Sequence, residues 1–394
     1  MLALLTFFWL MLVPPAAVWE QDQRFIPVEG ATLQAKQEAA ISRAASSRTE
    51  RFWTAYAFDV RPGVAVDFEF VSEDGNRFYI GESTMFHFDG VAFNNDFGGF
   101  SSSGSSIETR DLGVFLLRDP ARRGEVVRVE IYNLARRREY GGFPVYWLGR
   151  ASNEESLTLL RGLVESSRTG DVGEAATRAI ALHDDRRVPE VLVALARGTN
   201  SVGVRSRAAR ALGYPPVAAA TREFLASVAR DERESVDIRR SAISAYGRAR
   251  DPQALDFLLR LFDSLTHRDL KRSVLSAAAP NENKSAVVNF LIRVANQESD
   301  TELRKRAVAH LGEMAGEQAL GTLNETAGRV DADTELQKQA VSAISRRPAA
   351  ESVPLLIKVA QTHPKPEVRK QALVLLGRTG DPSAINYLKS VLTK

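Results

Sequence analysis

Apolar and polar positions follow one repeated pattern from Val172 to the end of the chain. In most copies an apolar residue is followed by a basic one, then by alanine four positions after the start, and by a close of small and apolar residues. Seven copies begin at Val172, Val204, Ile238, Leu270, Leu303, Leu336 and Val368, with starts 32, 34, 32, 33, 33 and 32 residues apart. A fixed period of this length is typical of stacked helical repeats. The pattern therefore predicts an α-α solenoid.

Each repeat has room for two helical segments. The first carries the repeated pattern, and in several copies it closes on a glycine, which suits a helix end. The second shows the spacing of apolar residues that a helix with one buried side requires. Clear second segments are Pro189–Ala196, Ala254–Phe262, Val287–Ala295, Val353–Ala360 and Ile385–Leu392. A helix at Asn153–Val164 precedes the copies as an N-terminal cap, so the solenoid is predicted over residues 153–394.

The copies resemble HEAT repeats of the short, phycobilisome-lyase-like type. The clearest copy is VRKQALVLLGRTGDPSAINYL at Val368–Leu388, and the resemblance covers roughly residues 155–394. It implies the fold but no single activity, because such repeats occur in scaffolds, adaptors, a lyase group and a few hydroxylases. Two copies depart from the pattern, with Gly173 in place of the basic residue and Val274 in place of alanine. Pro280 follows the fourth copy, and we expect an irregular turn there.

A period of two replaces the helical pattern between Phe52 and Arg150. Val64, Val66, Phe68 and Phe70 alternate with Ala65, Asp67 and Glu69, which places one set on a buried face of a strand. The expected strands are Phe52–Val60, Val64–Phe70, Arg77–Ile80, Leu112–Leu117, Val126–Tyr132 and Val145–Leu148. Short strands separated by turns predict a small antiparallel β-rich domain over residues 52–150, as a sandwich or barrel. A helix is predicted before it over residues 33–51, and the Gly/Ser-rich residues 81–107 are predicted to be a long loop.

The first residues of the chain have the composition of a secretory leader. Met1–Val13 is almost entirely apolar, Pro14–Ala17 follows, and the first charge is Glu20. This run is too short for a comfortable membrane span, so residues 1–19 are predicted to be a signal-peptide-like segment of an exported, bacterial-type protein, periplasmic or extracellular. No basic residue precedes the run and no clean cleavage site follows it. An uncleaved anchor and a buried N-terminal helix are therefore the alternatives.

The amino-acid composition excludes several kinds of site and partner. The chain has no cysteine, which excludes disulfides, thiolate metal sites and a cysteine nucleophile. Residues 1–150 carry 16 Lys+Arg against 19 Asp+Glu, and residues 151–394 carry 36 against 30. A basic bias this small is weak support for an anionic partner, and all four tryptophans lie before the solenoid, so nucleic acid is not expected as a partner.

The sequence contains no recognisable catalytic or cofactor motif. Its five histidines are scattered without the paired spacing of a metal site, and no P-loop, G-x-S-x-G or dinucleotide-binding fingerprint is present. HEAT-like hydroxylases carry repeated His-Glu dipeptides, which this chain lacks. His183-Asp184-Asp185 is read as a turn in which aspartate caps a helix. The prediction is a protein without catalytic residues, metal or cofactor.

Two sets of repeated residues are candidate site residues. The basic position of the pattern forms a ladder of Arg205, Arg239, Lys271, Arg304 and Arg369, interrupted by Gln337. We expect this ladder to be structural and to bind acidic residues of the turns, such as Asp251 or Asp237; a cationic ladder for an anionic ligand is the alternative. The resemblance implies that the second helices line the concave face, where a protein partner would contact Asp256, Arg260, Asn289, Arg293, Lys358, Asn386 and Lys389.

The sequence thus predicts an exported, non-catalytic scaffold that binds proteins on its solenoid, without an integral membrane span beyond the leader. Two alternatives belong to other classes. One is a tetrapyrrole (bilin) lyase-like enzyme, suggested by the type of repeat alone. The other is a β-domain that binds carbohydrate or another small ligand, with the solenoid as a spacer.

Overall fold

The computed structural model describes residues 25–47, 49–71, 77–80, 87–88, 105–108, 110–135, 140–167, 170–214, 218–314, 316–329 and 333–392. The predicted leader lies outside these residues, as does most of the predicted loop at 81–107. The chain divides into two compact units, Met1–Ala211 and Leu212–Lys394, and each is described by itself.

In the described residues of the first unit, nine strands form two sheets. They are β1 (Phe25–Pro27), β2 (Phe52–Ala57), β3 (Val64–Val71), β4 (Arg77–Ile80), β5 (His87–Phe88), β6 (Ser105–Glu108), β7 (Leu112–Asp119), β8 (Glu125–Asn133) and β9 (Val145–Arg150). One sheet has the order β1-β9-β2-β7-β8, and the other has the order β4-β3-β5 with β6 also paired to β3. The strands β5 and β6 fall inside the range that the sequence assigned to a loop.

The five-stranded sheet is mixed. Strand β7 is antiparallel to both β2 and β8, as the alternating pattern predicted, whereas β9 is parallel to both β1 and β2. The connection between β8 and β9 does not form a hairpin, because β2 and β7 lie between these two strands in the sheet. Tyr140 from this connection stacks on Phe115 of β7 at 5.1 Å, and its carbonyl accepts a hydrogen bond from Trp53 Nε1 at 3.0 Å.

The first face of this sheet carries an aromatic core. Phe115 is fully buried beneath Phe25, Trp53, Tyr132 and Tyr140, with ring centroids 5.0–6.3 Å away. Trp53 and Trp147 are only 4% and 8% exposed. These rings are therefore packed against each other, and they do not form the open stacking platform that a carbohydrate site would need.

The second face of the sheet is covered by helices. Helix α1 (Leu33–Ser46) ends before residue 51, because the N–H of Ser47 closes its last turn on the Arg43 and Ala44 carbonyls. Arg118 of β7 lies buried beneath α1 and donates to Thr54 Oγ1, Gln37 Oε1 and the Gly124 carbonyl at 3.0, 2.5 and 2.8 Å. Burial lowers its pKa to about 10, so the guanidinium stays charged and depends on these acceptors.

Helices follow one another from residue 153 onward. In the first unit they are α2 (Asn153–Ser166), α3 (Gly170–Ala181), α4 (Val188–Arg197) and α5 (Val202–Ala211). In the second unit they are α6 (Ala218–Arg230), α7 (Val236–Gly247), α8 (Pro252–Ser264), α9 (Arg268–Ala278), α10 (Lys284–Gln297), α11 (Thr301–Leu311), α12 (Glu317–Gly328), α13 (Thr334–Ile344), α14 (Ala349–Thr362), α15 (Pro366–Thr379) and α16 (Pro382–Leu392). Helices α3, α5, α7, α9, α11, α13 and α15 carry the repeated pattern and are called the first helices; α4, α6, α8, α10, α12, α14 and α16 are the second helices.

The two helices of a repeat bury the residues that the periodicity selected. In α7, Ile238 and Ala242 are 1% and 0% exposed, and in α8, Leu255, Leu258 and Phe262 are at most 3% exposed. The expected capping is also present, since Asp251 Oδ1 accepts the Ala254 N–H at 2.8 Å and Pro252 occupies the first turn of α8. None of the helices in the described part of the chain is long and apolar enough to cross a membrane.

Candidate interaction surface

The ladder residues close the ends of the second helices. Arg205 Nε donates to the Ala196 carbonyl of α4 at 2.8 Å, Arg239 Nε to Ala229 of α6 at 3.1 Å, and Arg304 Nε to Ala295 of α10 at 2.9 Å. The last carbonyls of a helix have no partner within it and carry partial negative charge. A guanidinium on the next first helix donates a hydrogen bond to such a carbonyl. It thereby joins the end of a second helix to the first helix that follows it.

Other residues at the same position make related contacts. Lys271 Nζ binds Glu298 Oε2 at 2.9 Å, and Arg369 Nη1 donates to the His363 carbonyl at 2.7 Å. Gln337, which interrupts the charge series, still donates from Nε2 to the Arg329 carbonyl at 2.5 Å. The shared function of the position is therefore hydrogen-bond donation, and a positive charge is not required for it.

The acidic residues named as ladder partners in the sequence interpretation have other partners. Asp251 Oδ2 binds Arg222 Nη2 at 2.6 Å, and Asp237 Oδ1 binds Arg240 Nη2 at 2.7 Å within α7. The expected pairing was wrong for these two aspartates, because the guanidinium groups of Arg205, Arg239 and Arg304 donate to carbonyls at the preceding helix end. Lys271 does bind an acidic residue between helices, Glu298.

We expect Arg304→Ala to lower the free energy of unfolding by about 1–2 kcal/mol, since it leaves a helix-end carbonyl without its charged donor. Arg304→Gln should retain most of the stability, because Gln337 fills the same role in its own repeat. Urea unfolding of both variants measures the difference. Equal losses for the two substitutions would contradict the hydrogen-bonding role.

The predicted partner-binding residues lie on the solvent side of the second helices. Asp256, Arg260, Asn289, Lys358, Asn386 and Lys389 are exposed, and Arg293 is half-buried. Two of them join neighbouring second helices, since Arg293 binds Asp263 at 2.7 Å and Asn289 Oδ1 accepts a hydrogen bond from Gln318 Nε2 at 3.0 Å. Long side chains thus bridge this row of helices.

The first helices approach each other far more closely. A Cβ added to Gly247 would lie 2.7 Å from the Cβ of Ala277 on the next first helix, and one added to Gly312 would lie 2.8 Å from the Cβ of Ala343. A stack of helix pairs bends toward its more closely spaced row, because each repeat adds a small rotation. Between α7 and α15 this spacing favours a bend with the first helices on its inner side; that a partner binds along the second helices stays a prediction from the sequence.

The solvent side of the first helices has a regular composition. Its middle row consists of small residues, and a row of cations runs beside it. The small residues are Ser244, Ser276, Ala309 and Ser342, and the cations are Arg240, Arg272, Lys305 and Lys338. Each cation is bound to a carboxylate three residues earlier at 2.7–3.0 Å. We call these eight residues the inner face.

A buried chain of polar side chains joins β2 to α2 and to the end of α3. Tyr56 OH lies 2.9 Å from Ser156 Oγ, Ser156 Oγ lies 2.7 Å from His183 Nε2, and His183 Nδ1 lies 2.8 Å from the Ala179 carbonyl. Because the carbonyl can only accept, Nδ1 carries the proton and Nε2 accepts from Ser156. Phe58 stacks on the imidazole at 4.2 Å.

This chain of hydrogen bonds is a structural connection that the sequence did not reveal. Burial lowers the pKa of His183 to about 4, so the ring is neutral at neutral pH and both its nitrogens are satisfied. Asp185 lies in the expected turn, where its Oδ1 accepts the Arg187 N–H at 2.9 Å, but α4 begins without a side-chain cap on its N-terminus. Among the residues that the structure describes, no group of three or more His, Asp or Glu side chains could hold a metal ion.

Comparison with known proteins places the repeats in a family. Residues 189–279 and 325–394 match the family model of HEAT repeats. A search among curated proteins finds no match. Over these residues the match confirms the resemblance seen in the sequence, and the helix pairs form a HEAT-like solenoid, an architecture that supports protein binding.

Solved structures of similar helical proteins include three examples. Human deoxyhypusine hydroxylase in complex with glycerol is 18% identical, with a TM-score of 0.31, over 60% of this chain and 89% of that one. Escherichia coli YibA is 14% identical (TM-score 0.40; 61% and 89% covered). The CpcE–CpcF complex of phycocyanin lyase from Nostoc sp. PCC7120 is 15% identical (TM-score 0.32; 61% and 95% covered). Similarity at this level carries no information on activity, so the assignment rests on the family match and on the helix pairs themselves.

Proposed function

We propose that the protein is a non-catalytic scaffold that binds a protein partner along the inner face of its HEAT-repeat solenoid. The observation that carries the proposal is the recurrence of equivalent residues at least partly open to solvent, one cation and one small residue, on each of the four helices α7, α9, α11 and α13. A repeated surface of this kind offers the same contacts at regular intervals, as an extended partner requires.

The spacing of the rows limits what this partner can be. Packed helices lie about 8–10 Å apart, and an extended chain advances about 3.3 Å per residue. A peptide crossing the inner face would therefore place about every third side chain over a new helix. The small residues of the middle row leave room for its backbone, and the adjacent cation–carboxylate pairs offer both donors and acceptors to polar side chains of the partner.

A matched pair of exposed arginines on neighbouring helices tests the proposal. A photoreactive amino acid replaces Arg272 on α9 in one variant and Arg260 on α8 in the other, and protein adducts formed in cells are identified by mass spectrometry. We expect a discrete adduct from position 272 and none from position 260. Purified partner should then bind Arg272→Glu at least about tenfold more weakly than Arg260→Glu, a difference of about 1.4 kcal/mol.

The opposite result has a definite meaning. An adduct from position 260 alone would show that the partner binds the second helices, at the residues predicted from the sequence. The absence of an adduct at both positions, with the protein folded and present, would contradict the scaffold function.

We also propose that the protein is exported, on the basis of the apolar run Met1–Val13. The expected result is that full-length protein is recovered outside the cytoplasm and that replacing Leu4 and Leu5 by arginine retains it inside. Unchanged localisation after this replacement would contradict export through this segment.

A further inference from the structure

The crossing of α9 with α11 departs from the packing of the neighbouring first helices. Where α7 crosses α9 and α11 crosses α13, Gly247 and Gly312 each face an alanine of the next first helix at close range. The equivalent places of the crossing between α9 and α11 hold Ala279 and His310. Helix α11 also packs less extensively on α9 than on α13. The close contact of glycine with alanine, which the two neighbouring crossings have, is therefore missing from this one.

The imidazole of His310 fills this crossing without being held by hydrogen bonds. Both ring nitrogens are buried, and neither has a hydrogen-bond partner among the residues that the structure describes. Glu313 Oε2 lies 3.5 Å from Nδ1, which is long for a hydrogen bond. A buried polar atom without a partner raises the free energy of the packed arrangement. Separation of α9 from α11 would let water reach both nitrogens, so the closed crossing is penalised relative to an open one.

The crossing of α13 with α15 shows that a large side chain alone does not create this condition. In the seventh copy Leu375 occupies the place of His310 and is half-buried. Its side chain has no polar atom that needs a partner, so close packing carries no comparable penalty there. The polar ring therefore distinguishes the crossing of α9 with α11.

Ion pairs hold the two sides of this junction together. One side consists of α8 and α9, and the other consists of α10, α11 and their connection. Among the described residues three ion pairs cross between the sides: Arg268 with Asp300, Lys271 with Glu298 at 2.9 Å, and Arg293 with Asp263 at 2.7 Å. The side chains of Arg268 and Arg293 are 63% and 42% exposed, so dissolved salt screens these two pairs.

The turn between α9 and α10 belongs to the first side of the junction. Asn281 is 1% exposed, and its Nδ2 donates to the Asp251 carbonyl at the start of α8 at 2.9 Å. The N–H of Glu282 donates to the Arg250 carbonyl at 3.3 Å. Because these bonds fix the turn to α8, a relative movement of the two sides would begin after the turn, where α10 starts.

We propose that the second unit has a hinge between α9 and α11, which opens when salt weakens the ion pairs across it. The hinge does not depend on the partner proposed above. Its consequence for the inner face is a variable separation between Arg272 and Lys305, whereas the neighbouring rows keep their spacing.

Distances between pairs of spin labels in the full chain test the hinge. The chain contains no cysteine, so labels attach only to cysteines that are introduced. One protein carries Asp237→Cys and Glu302→Cys, on α7 and α11, and spans the hinge. The control carries Glu302→Cys and Glu367→Cys, on α11 and α15. All three sites are exposed and occupy one equivalent position of their copies, and each pair joins alternate first helices, about 16–20 Å apart.

We expect a broader distance distribution for the 237–302 pair than for the 302–367 pair. A rise in salt from about 0.01 M to about 1 M shortens the Debye length from about 30 Å to about 3 Å. It should lengthen the mean 237–302 distance by about 1–2 Å and leave the 302–367 distance unchanged. The double variant Ala279→Gly/His310→Ala, which copies the crossing of α7 with α9, should narrow the 237–302 distribution. His310→Leu, the residue of the seventh copy, should narrow it as well and serves if the double variant does not fold.

Two outcomes would overturn the proposal. Equal widths and equal salt responses for the two pairs would show that the helices flex evenly or not at all. A 237–302 distribution that is unchanged in both His310 variants would show that this side chain does not control the junction.

Discussion

Gly247→Ala should lower the free energy of unfolding by about 2 kcal/mol, although alanine is the better helix former. The new Cβ would lie 2.7 Å from the Cβ of Ala277 and 2.8 Å from its carbonyl oxygen. The second of these atoms belongs to the backbone of α9, so relief requires α7 and α9 to move apart. The cost of this overpacking exceeds the gain of about 1 kcal/mol in helix propensity.

The same substitution at Gly321 is the matched control. Gly321 lies inside α12, and an added Cβ would meet no atom within 4 Å. Gly321→Ala should therefore stabilise the protein by up to about 1 kcal/mol. Urea unfolding gives the sign of each change, and amide hydrogen exchange in α7 and α9 locates the first one. A stabilising Gly247→Ala would refute the close approach of α7 and α9.

Acidification from pH 7 toward pH 4 should cost about 3 kcal/mol of stability through His183 alone. In the unfolded chain this histidine takes up its proton near its ordinary pKa of 6.5, whereas burial holds its pKa at about 4 in the folded protein. The unfolded state therefore binds more protons in this window, and stability falls as the pH falls from about 6.5 to about 4. Asp185 and Asp59 oppose the shift, but desolvation outweighs them.

The contribution of His183 is isolated by comparing the wild type with His183→Gln. The variant has no titrating group at this position, so its stability should depend less steeply on pH between about 4 and 6.5. Urea unfolding at intervals across this range measures both curves. Parallel curves would show that the histidine is protonated in the folded state and that the bond from Ser156 to Nε2 is not formed. Below this window other groups contribute, including Asp185, whose pKa is lowered to about 2 by its bond to Arg187.

The helical repeats were predictable because their information is local. The apolar spacing within each copy indicates which of its positions are buried. Ile238, Ala242, Leu258 and their equivalents could therefore be assigned to the core without knowing what they contact. The family match followed from the same residues. The alternation of apolar and polar residues also located strands of the β-region, and the strand Arg77–Ile80 has the bounds predicted from the sequence.

Pairing in space was not predictable from such local patterns. Strand β9 is parallel to β2 and is separated from β8 by two strands, and the apolar pattern of the sequence carries no sign of this order. The partners of the ladder residues were also not predictable. A row of basic residues suggests carboxylate partners and gives no sign of carbonyls at a helix end. The chain of Tyr56, Ser156 and His183 joins residues up to 127 positions apart, each unremarkable in its own segment.

The class of fold, the spacing of the repeats and the residues that each helix buries could all be inferred from the sequence, because apolar periodicity is a property of each segment alone. The structure was needed to show which donors close the helix ends and how closely Gly247 and Gly312 approach the next first helix. These features depend on distances between segments. A glycine that is crowded at 247 and open at 321 is the same residue in the sequence, and its role is set by the neighbour that packs against it.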